Sequence, residues 1–330
     1  MQVDHVAIIG LGSIGRRHLR TLREIRPEIQ ITIVRSGYGA DYPELDLANN
    51  VVHSLSEAID LGIQAAIISS PATEHVKQGV ELARAGIHLL IEKPISHSLI
   101  GVEELLNAVS TSKVVGLIGY ILRYDPVAIG FKEFLDDGRL GQLLHVRVET
   151  SSYLPDWRPG QDYTKTVSAL ADCGGGVLLE LSHEFDYIGW FFGRVNNIFA
   201  KLHNSRHLDI DVEECADIIM NTNDNVPVSL HIDFHQHHPT RFCFVAGSKG
   251  SAKWDAMKNT LSWHPAGKEI EVVQFSFERD ELFKKQLLHF FSCIEDHINP
   301  LISLEDAFQT LKIIEAARKA DSTSMRQDIA

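Results

Sequence analysis

His5-Val-Ala-Ile-Ile-Gly10-Leu-Gly12-Ser13-Ile14-Gly15-Arg-Arg-His18-Leu-Arg20 is the stretch that decides the fold. The apolar run up to Ile9 reads as a buried strand, the glycines as a turn, and Arg16 to Ile25, ending before Pro27, as a helix. Strand, G-x-G-x-x-G turn and helix in that order are the fingerprint of a dinucleotide-binding Rossmann unit. Gly10 permits the tight turn, Gly12 lets backbone approach a pyrophosphate, and Gly15 lets helix pack on strand. Ser13 and Ile14 open the helix, so their N–H groups face the phosphates.

Outward from this turn, Ile31-Thr-Ile-Val34, Ala65-Ala-Ile-Ile-Ser69, His88-Leu-Leu-Ile91 and Val114 to Ile118 alternate with helical patterns. Such alternation predicts βαβ units and a doubly wound parallel sheet over 1–120. From about Leu143 the segments lengthen and alternate: Leu144 to Ser151, Cys215 to Asn221, Val228 to Phe234, Arg241 to Ala246. They predict an α+β domain over 121–330 with a large, mostly antiparallel sheet, one face open. Asp280 to His297 has helical periodicity. Ser303-Leu-Glu-Asp306 reads as an N-cap opening another helix to about Ala320, and the polar tail after Asp321 as a fraying end.

The chain has 330 residues, which favours two domains. Its 31 basic against 44 acidic residues leave a net charge of −13, which repels polyanions and argues against nucleic acid as a partner. Apolar runs are strand-length, far below the roughly 20 residues of a membrane span. No signal peptide is visible at the start, so a cytoplasmic location is expected. The four cysteines form no C-x-x-C pair and are expected to be reduced and structural.

About 20 positions beyond the turn, NAD-binding units place a carboxylate on the ribose 2′-hydroxyl. Arg35 and Ser36 stand there instead. A guanidinium and a hydroxyl suit the 2′-phosphate of NADP, although an arginine exposed in a loop would still admit NAD. Ile91-Glu92-Lys93-Pro94 ends a strand, so its side chains emerge at the carboxyl edge of the sheet, where open α/β folds bind ligands.

Through Glu92-Lys93-Pro94 the chain resembles the glucose-fructose oxidoreductase and inositol dehydrogenase family. The resemblance continues through Ser70-Pro71-Ala-Thr-Glu-His75, Ala83-Arg-Ala-Gly86, Gly119-Tyr120-Ile-Leu-Arg123, Pro126, Gly138-Arg-Leu-Gly141 and Gly174-Gly-Gly176. It covers nearly the whole chain and implies an NAD(P)-dependent dehydrogenase or reductase acting on a carbohydrate-type small molecule. It also implies a catalytic Lys93, with Ser70, Pro71, His75, Glu92 and Arg123 along the cofactor and Tyr120 near nicotinamide or substrate. In the family an acidic residue precedes a proton-handling histidine after the glycine run. Here Gly176-Val-Leu-Leu-Glu180-Leu-Ser-His183 brings them one position closer. On a helix both spacings share a face, so His183 is the expected acid/base and Glu180 the acid that orients it. Trp157 and Arg158 are expected over the pocket, Arg158 on an anionic group. Homodimers or homotetramers through the second sheet are implied as well.

Other signals read as structural. His231, Asp233, His235 and His237 would share one strand face, and no metal is expected from them. Arg16, Arg17, His18 and Arg20 read as a solvated helix face. A non-catalytic NAD(P)-binding sensor of the same fold, as in the similar galactose-regulon repressor of yeast, is the rival reading. Its mark would be loss of the lysine or the histidine, and both stand here.

Overall fold

In the computed structural model, residues 2–37 and 42–329 are described. Packing divides the chain into two compact units, Met1–Ile121 with Glu278–Phe308, and Leu122–Phe277 with Gln309–Ala330.

In the first unit, strands β1 (His5–Ile9), β2 (Gln30–Val34), β3 (Asn50–Val52), β4 (Ala65–Ile68), β5 (His88–Ile91) and β6 (Gly116–Ile118) pair in parallel in the order β3-β2-β1-β4-β5-β6. Helices α1 (Ser13–Ile25), α2 (Leu55–Asp60), α3 (His75–Arg84) and α4 (Val102–Ser112) lie between the strands in sequence. This is the expected doubly wound sheet. Buried on both faces, its strands are continuous apolar runs: Val6, Ile8, Ala65, Ile67, Leu89 and Leu90 are fully enclosed. The sixth strand starts later than its apolar run. Lys113 takes a left-handed φ of 55°, and the N–H of Val114 donates back to the carbonyl of Val109 at 3.2 Å.

In the second unit, α5 (Pro126–Asp136), α6 (Val177–Glu180) and α7 (His183–Phe192) accompany strands β7 (Leu143–Ser151), β8 (Val195–His203), β9 (Cys215–Thr222), β10 (Pro227–Asp233), β11 (Thr240–Gly247), β12 (Gly250–Asp255), β13 (Thr260–Pro265), β14 (Glu271–Gln274) and β15 (Gln327–Asp328). The strands form one sheet in the order β14-β13-β12-β11-β7-β10-β9-β8-β15. β7 and β10 pair in parallel, and the other neighbours antiparallel. The tail expected to fray is its edge strand: Gln327 and Asp328 pair with Ile198 and Asn197. One face is aromatic and buried, with Tyr187 edge-on to Trp254 at 5.1 Å and Phe131 to Phe191 at 5.4 Å. The other face is open. Phe199, Ile219, Ser229, Arg147, Phe244 and Lys253 lie side by side across six strands, Phe199 46% and Ile219 58% exposed.

After β14 the chain returns to the first unit as α8 (Arg279–Glu295). Leu287, Phe290, Phe291 and Ile294 of α8 share a core with Leu19 and Leu22 of α1 and with Ile8, Ile31 and Ile67 of the sheet. Arg26 on the α1 side grips Glu295 through two hydrogen bonds of 3.0 and 2.7 Å. Ser303 caps α9 (Leu304–Thr323) as expected, its Oγ accepting the N–H of Asp306 at 3.1 Å. Among the described residues, no helix is long and apolar enough to cross a membrane.

Candidate active site

Ile9, the last residue of β1, lies beside Val34 of β2 and Ile68 of β4. Ile68 lies beside Ile91 of β5, and Ile91 beside Ile118 of β6. The strands therefore end in one row. Arg35, Gly10, Ser69, Glu92 and Gly119 leave the sheet along a single edge, followed by Ser36, Ser70, Lys93 and Tyr120. These dispersed segments meet at the carboxyl edge, where ligands of such sheets bind.

Gly10 has φ +86°, which favours glycine, and the Oγ of Ser69 donates to the carbonyls of Ile9 and Gly10, both at 2.9 Å. A Cβ on Gly15 would stand 2.2 Å from the carbonyl oxygen of Gly10, so α1 packs against the turn only because Gly15 has none. A Cβ on Gly12 would meet nothing within 4 Å. No side chain caps α1 and no acid sits in its first turn, so its leading N–H groups fit a phosphate. Ser69, which secures the turn, carried no signal in the sequence beyond its place at a strand end.

Lys93 follows β5, half-buried, and is joined to Pro94 by a cis peptide bond. His75 is 1% exposed, its Nδ1 2.9 Å from the Pro94 carbonyl and its Nε2 2.9 Å from that of Ser70. Burial pushes the His75 pKa down. Both ring nitrogens of His75, expected along the cofactor, face main-chain carbonyls. The Oγ of Ser70 donates to Gln78 at 2.7 Å, and Pro71 is exposed. Tyr120 is 1% exposed.

In the second unit, His183 is half-buried and opens α7, while Glu180 closes α6. Leu181 and Ser182 interrupt the helix, so the argument that both residues share the face of one helix does not hold here. Carboxylates rivet α7 just beyond His183. The Oε1 of Glu184 accepts the Thr150 hydroxyl at 2.7 Å and the Arg241 Nε–H at 2.9 Å, and Asp186 accepts two bonds from Arg123. Arg123, expected along the cofactor, is buried and held by this pair, its guanidinium also 4.9 Å from the centre of the Trp190 ring. Trp157 is pinned by its indole N–H to the Ser152 hydroxyl at 2.8 Å and by an edge contact with Phe234. Arg158 beside it is half-buried.

Residues 5–120 match the model described as an oxidoreductase family with an NAD-binding Rossmann fold, and residues 130–253 match the GFO/IDH/MocA C-terminal domain. The chain belongs to the GFO/IDH/MocA family. This GFO/IDH/MocA protein is 25% identical over 328 residues to the uncharacterized oxidoreductase YrbE of Bacillus subtilis, spanning 95% of this chain and 93% of that one. It is 25% identical to the myo-inositol 2-dehydrogenase of Thermotoga maritima, spanning 96% and 95%. Among solved structures, a levoglucosan dehydrogenase in complex with NADH and L-sorbose superposes with a TM-score of 0.89, at 17% identity and full coverage of both chains. The GFO/IDH/MocA chain is an NAD-binding oxidoreductase, and the regulatory reading is not the one its relatives favour.

The remaining polar cluster of this GFO/IDH/MocA oxidoreductase lies on the second sheet. β10 ends at Asp233, so His235 and His237 do not share a strand face with His231. His235 instead meets Glu214 at 3.0 Å, and His237 stacks on Tyr153 at 4.0 Å. His231 donates from Nδ1 to Asp217 at 2.7 Å and from Nε2 to Asp233 at 2.9 Å. Asp233 chiefly, against the effect of burial, lifts His231 to about 9. Cys215, Asp217 and His231 bring donor atoms within 4.8 Å of one another. Burial raises the Cys215 thiol to about 12, and both His231 nitrogens are already committed to carboxylates. The cluster satisfies itself as an ion bridge.

Proposed function

We propose that this oxidoreductase moves a hydride between a nicotinamide cofactor and a ring carbon of a sugar, sugar nucleotide or cyclic polyol, with Lys93 and His183 as its catalytic groups. The observation that carries the reading is the single edge along which the glycine turn, Ser70 and Lys93 leave three adjacent strands. Relatives named as inositol dehydrogenases and as a 1,5-anhydro-D-fructose reductase support the substrate class.

The open space above Gly12 and the uncapped start of α1 fit a pyrophosphate, with Ser13 and Ile14 supplying N–H groups. Arg35 and Ser36 follow β2 on the same edge and suit a 2′-phosphate, which favours NADP over NAD. A nicotinamide cofactor held by these residues would supply the hydride acceptor or donor. In the oxidative direction His183 accepts the proton of the substrate hydroxyl as its oxygen forms the second bond to carbon. The ammonium of Lys93 donates a hydrogen bond to that oxygen and stabilises its developing negative charge. Glu180 orients the imidazole, and Tyr120, Trp157 and Arg158 complete the substrate side, Arg158 taking an anionic group. The open face carrying Phe199 and Ile219 joins a second copy.

Lys93→Ala and His183→Ala are expected to bind NADPH as the parent does, read by nicotinamide fluorescence. Each should lose on the order of 10²-fold or more in turnover against a panel of sugars, polyols and sugar nucleotides. Full turnover in both variants would refute these roles.

A further inference from the structure

We propose that His18 and Glu92 act together as positioning residues for Lys93, tying the helix behind the phosphate-binding turn to the strand end that presents the lysine. The proposal rests on the reading above that Lys93 works on the substrate oxygen.

His18 lies on α1 and is wholly buried, and Glu92 is 8% exposed. The Nε2–H of His18 donates to Glu92 Oε1 at 2.6 Å. The other carboxylate oxygen, Oε2, accepts the backbone N–H of Lys93 at 3.3 Å. One side chain therefore connects α1 to the main chain of the lysine itself.

The slot that holds this carboxylate is closely fitted. Gly119 on the neighbouring strand end donates its N–H to the carbonyl of Ile91 at 2.8 Å. A Cβ there would stand 2.9 Å from Glu92 Oε2 and 3.1 Å from its Cα, so only glycine leaves the carboxylate its place. The edge of Phe283 from α8 packs on the His18 ring at 5.7 Å, and its Nδ1 is buried with no hydrogen-bond partner. A bare acceptor costs less than an orphaned N–H, so Nε2 is the nitrogen that donates to Glu92. On the far side of the lysine, His75 holds the Pro94 carbonyl.

Holding α1 against β5 does not by itself require this chemistry. Apolar side chains of the same volume hold a helix to a sheet as well as a buried polar pair does, or better. What an apolar pair cannot do is fix a backbone N–H in direction. Glu92 does so one peptide before the catalytic ammonium. Displacement of that peptide by about 1 Å is enough to cost on the order of 10²-fold in rate.

The test uses the full chain with Glu92→Gln, His18→Phe, His18→Gln and the double variant His18→Phe with Glu92→Gln. In protein without cofactor, the amide proton of Lys93 should exchange faster in Glu92→Gln and His18→Phe than in the parent. Turnover should fall about 10- to 100-fold in each, with the Kd for NADPH within threefold of the parent in His18→Phe. The double variant should fall no further than the weaker single one, because the two residues act as one unit. His18→Gln, which keeps an N–H donor, should recover part of the loss. Unchanged exchange and turnover in His18→Phe, or losses that multiply in the double variant, would overturn the proposal. If His18→Phe does not fold, Glu92→Gln and His18→Gln decide it by the same readouts. Full activity of Lys93→Ala would instead overturn the reading on which this one stands.

Discussion

Arg123 holds Asp186 through two hydrogen bonds, Nε to Oδ2 at 2.8 Å and Nη2 to Oδ1 at 2.9 Å, with both residues buried. The bond joins the turn Ile121–Tyr124 to the helix that begins with His183. Removal of one partner strands a buried charge, which costs about 3–5 kcal/mol. Arg123→Met is expected to lose stability of that order in urea unfolding, and Arg123→Met with Asp186→Leu to regain most of it. Because Arg123 is spoken for by Asp186, the Kd for NADPH in folded Arg123→Met should match the parent. A selective loss of cofactor binding would support the ligand role that the resemblance implies.

Gly15→Ala places a methyl group where the Gly10 carbonyl stands, 2.2 Å away. α1 must then lift from the turn. Overpacking of this kind costs about 1–3 kcal/mol, and the N–H groups at the start of α1 lose their aim. The variant is expected to melt lower and to bind NADPH at least tenfold more weakly by fluorescence titration. Gly12→Ala, whose Cβ meets no protein atom, should leave the melting temperature unchanged and weaken only binding.

His231 contributes a pH dependence with a definite sign. Its pKa rises from an ordinary 6.5 to about 9, mainly through Asp233 and then Asp217. A pKa raised by folding stabilises fully below the unfolded value and fades as pH climbs through the folded one. Stability is therefore expected to decline between pH 6.5 and about 9. Burial alone would raise the pKa of Asp233, but the hydrogen bonds from His231, Ser151 and the N–H groups of His235 and Gln236 bring it down to about 2. Its contribution is present above the ordinary 3.8 and is lost as pH falls through about 2. Thermal melts of His231→Gln should lack the alkaline decline, and an unaltered slope would place its origin elsewhere.

The parts of this fold that announce themselves in sequence are those set by local backbone demands. The Gly10 to Gly15 turn, the apolar runs of β1, β4 and β5 and the Ser303 cap each depend on neighbours a few positions away. Lys93 and His183 stand out by motif order, which reports ancestry rather than contact. His18 is illegible in the sequence for the opposite reason. Beside Arg16, Arg17 and Arg20 it scans as a polar helix face, yet Phe283, far along the chain, covers it, and Glu92 accepts its hydrogen bond. Arg123 and Asp186 are likewise 63 positions apart, and no periodicity relates them. Gln327 and Asp328 look like a loose end until β8 offers them an edge. The break at Leu181 and Ser182 was hidden because residues on either side are good helix formers.

The return of α8 to the first unit limits how this protein can be taken apart. A fragment ending at residue 120 would keep every strand of the parallel sheet and the whole glycine turn. It would also bare Leu19 and Leu22, which pack in one core with Leu287, Phe290 and Ile294. Losing even one such large side chain from a core costs about 2–5 kcal/mol, comparable with the whole stability of a small domain. Chimaeras that exchange the nucleotide-binding half between relatives must therefore carry the 278–308 segment with it. Cut at the end of the last parallel strand, the half would be an open book, its sticky page turned to any passing chain.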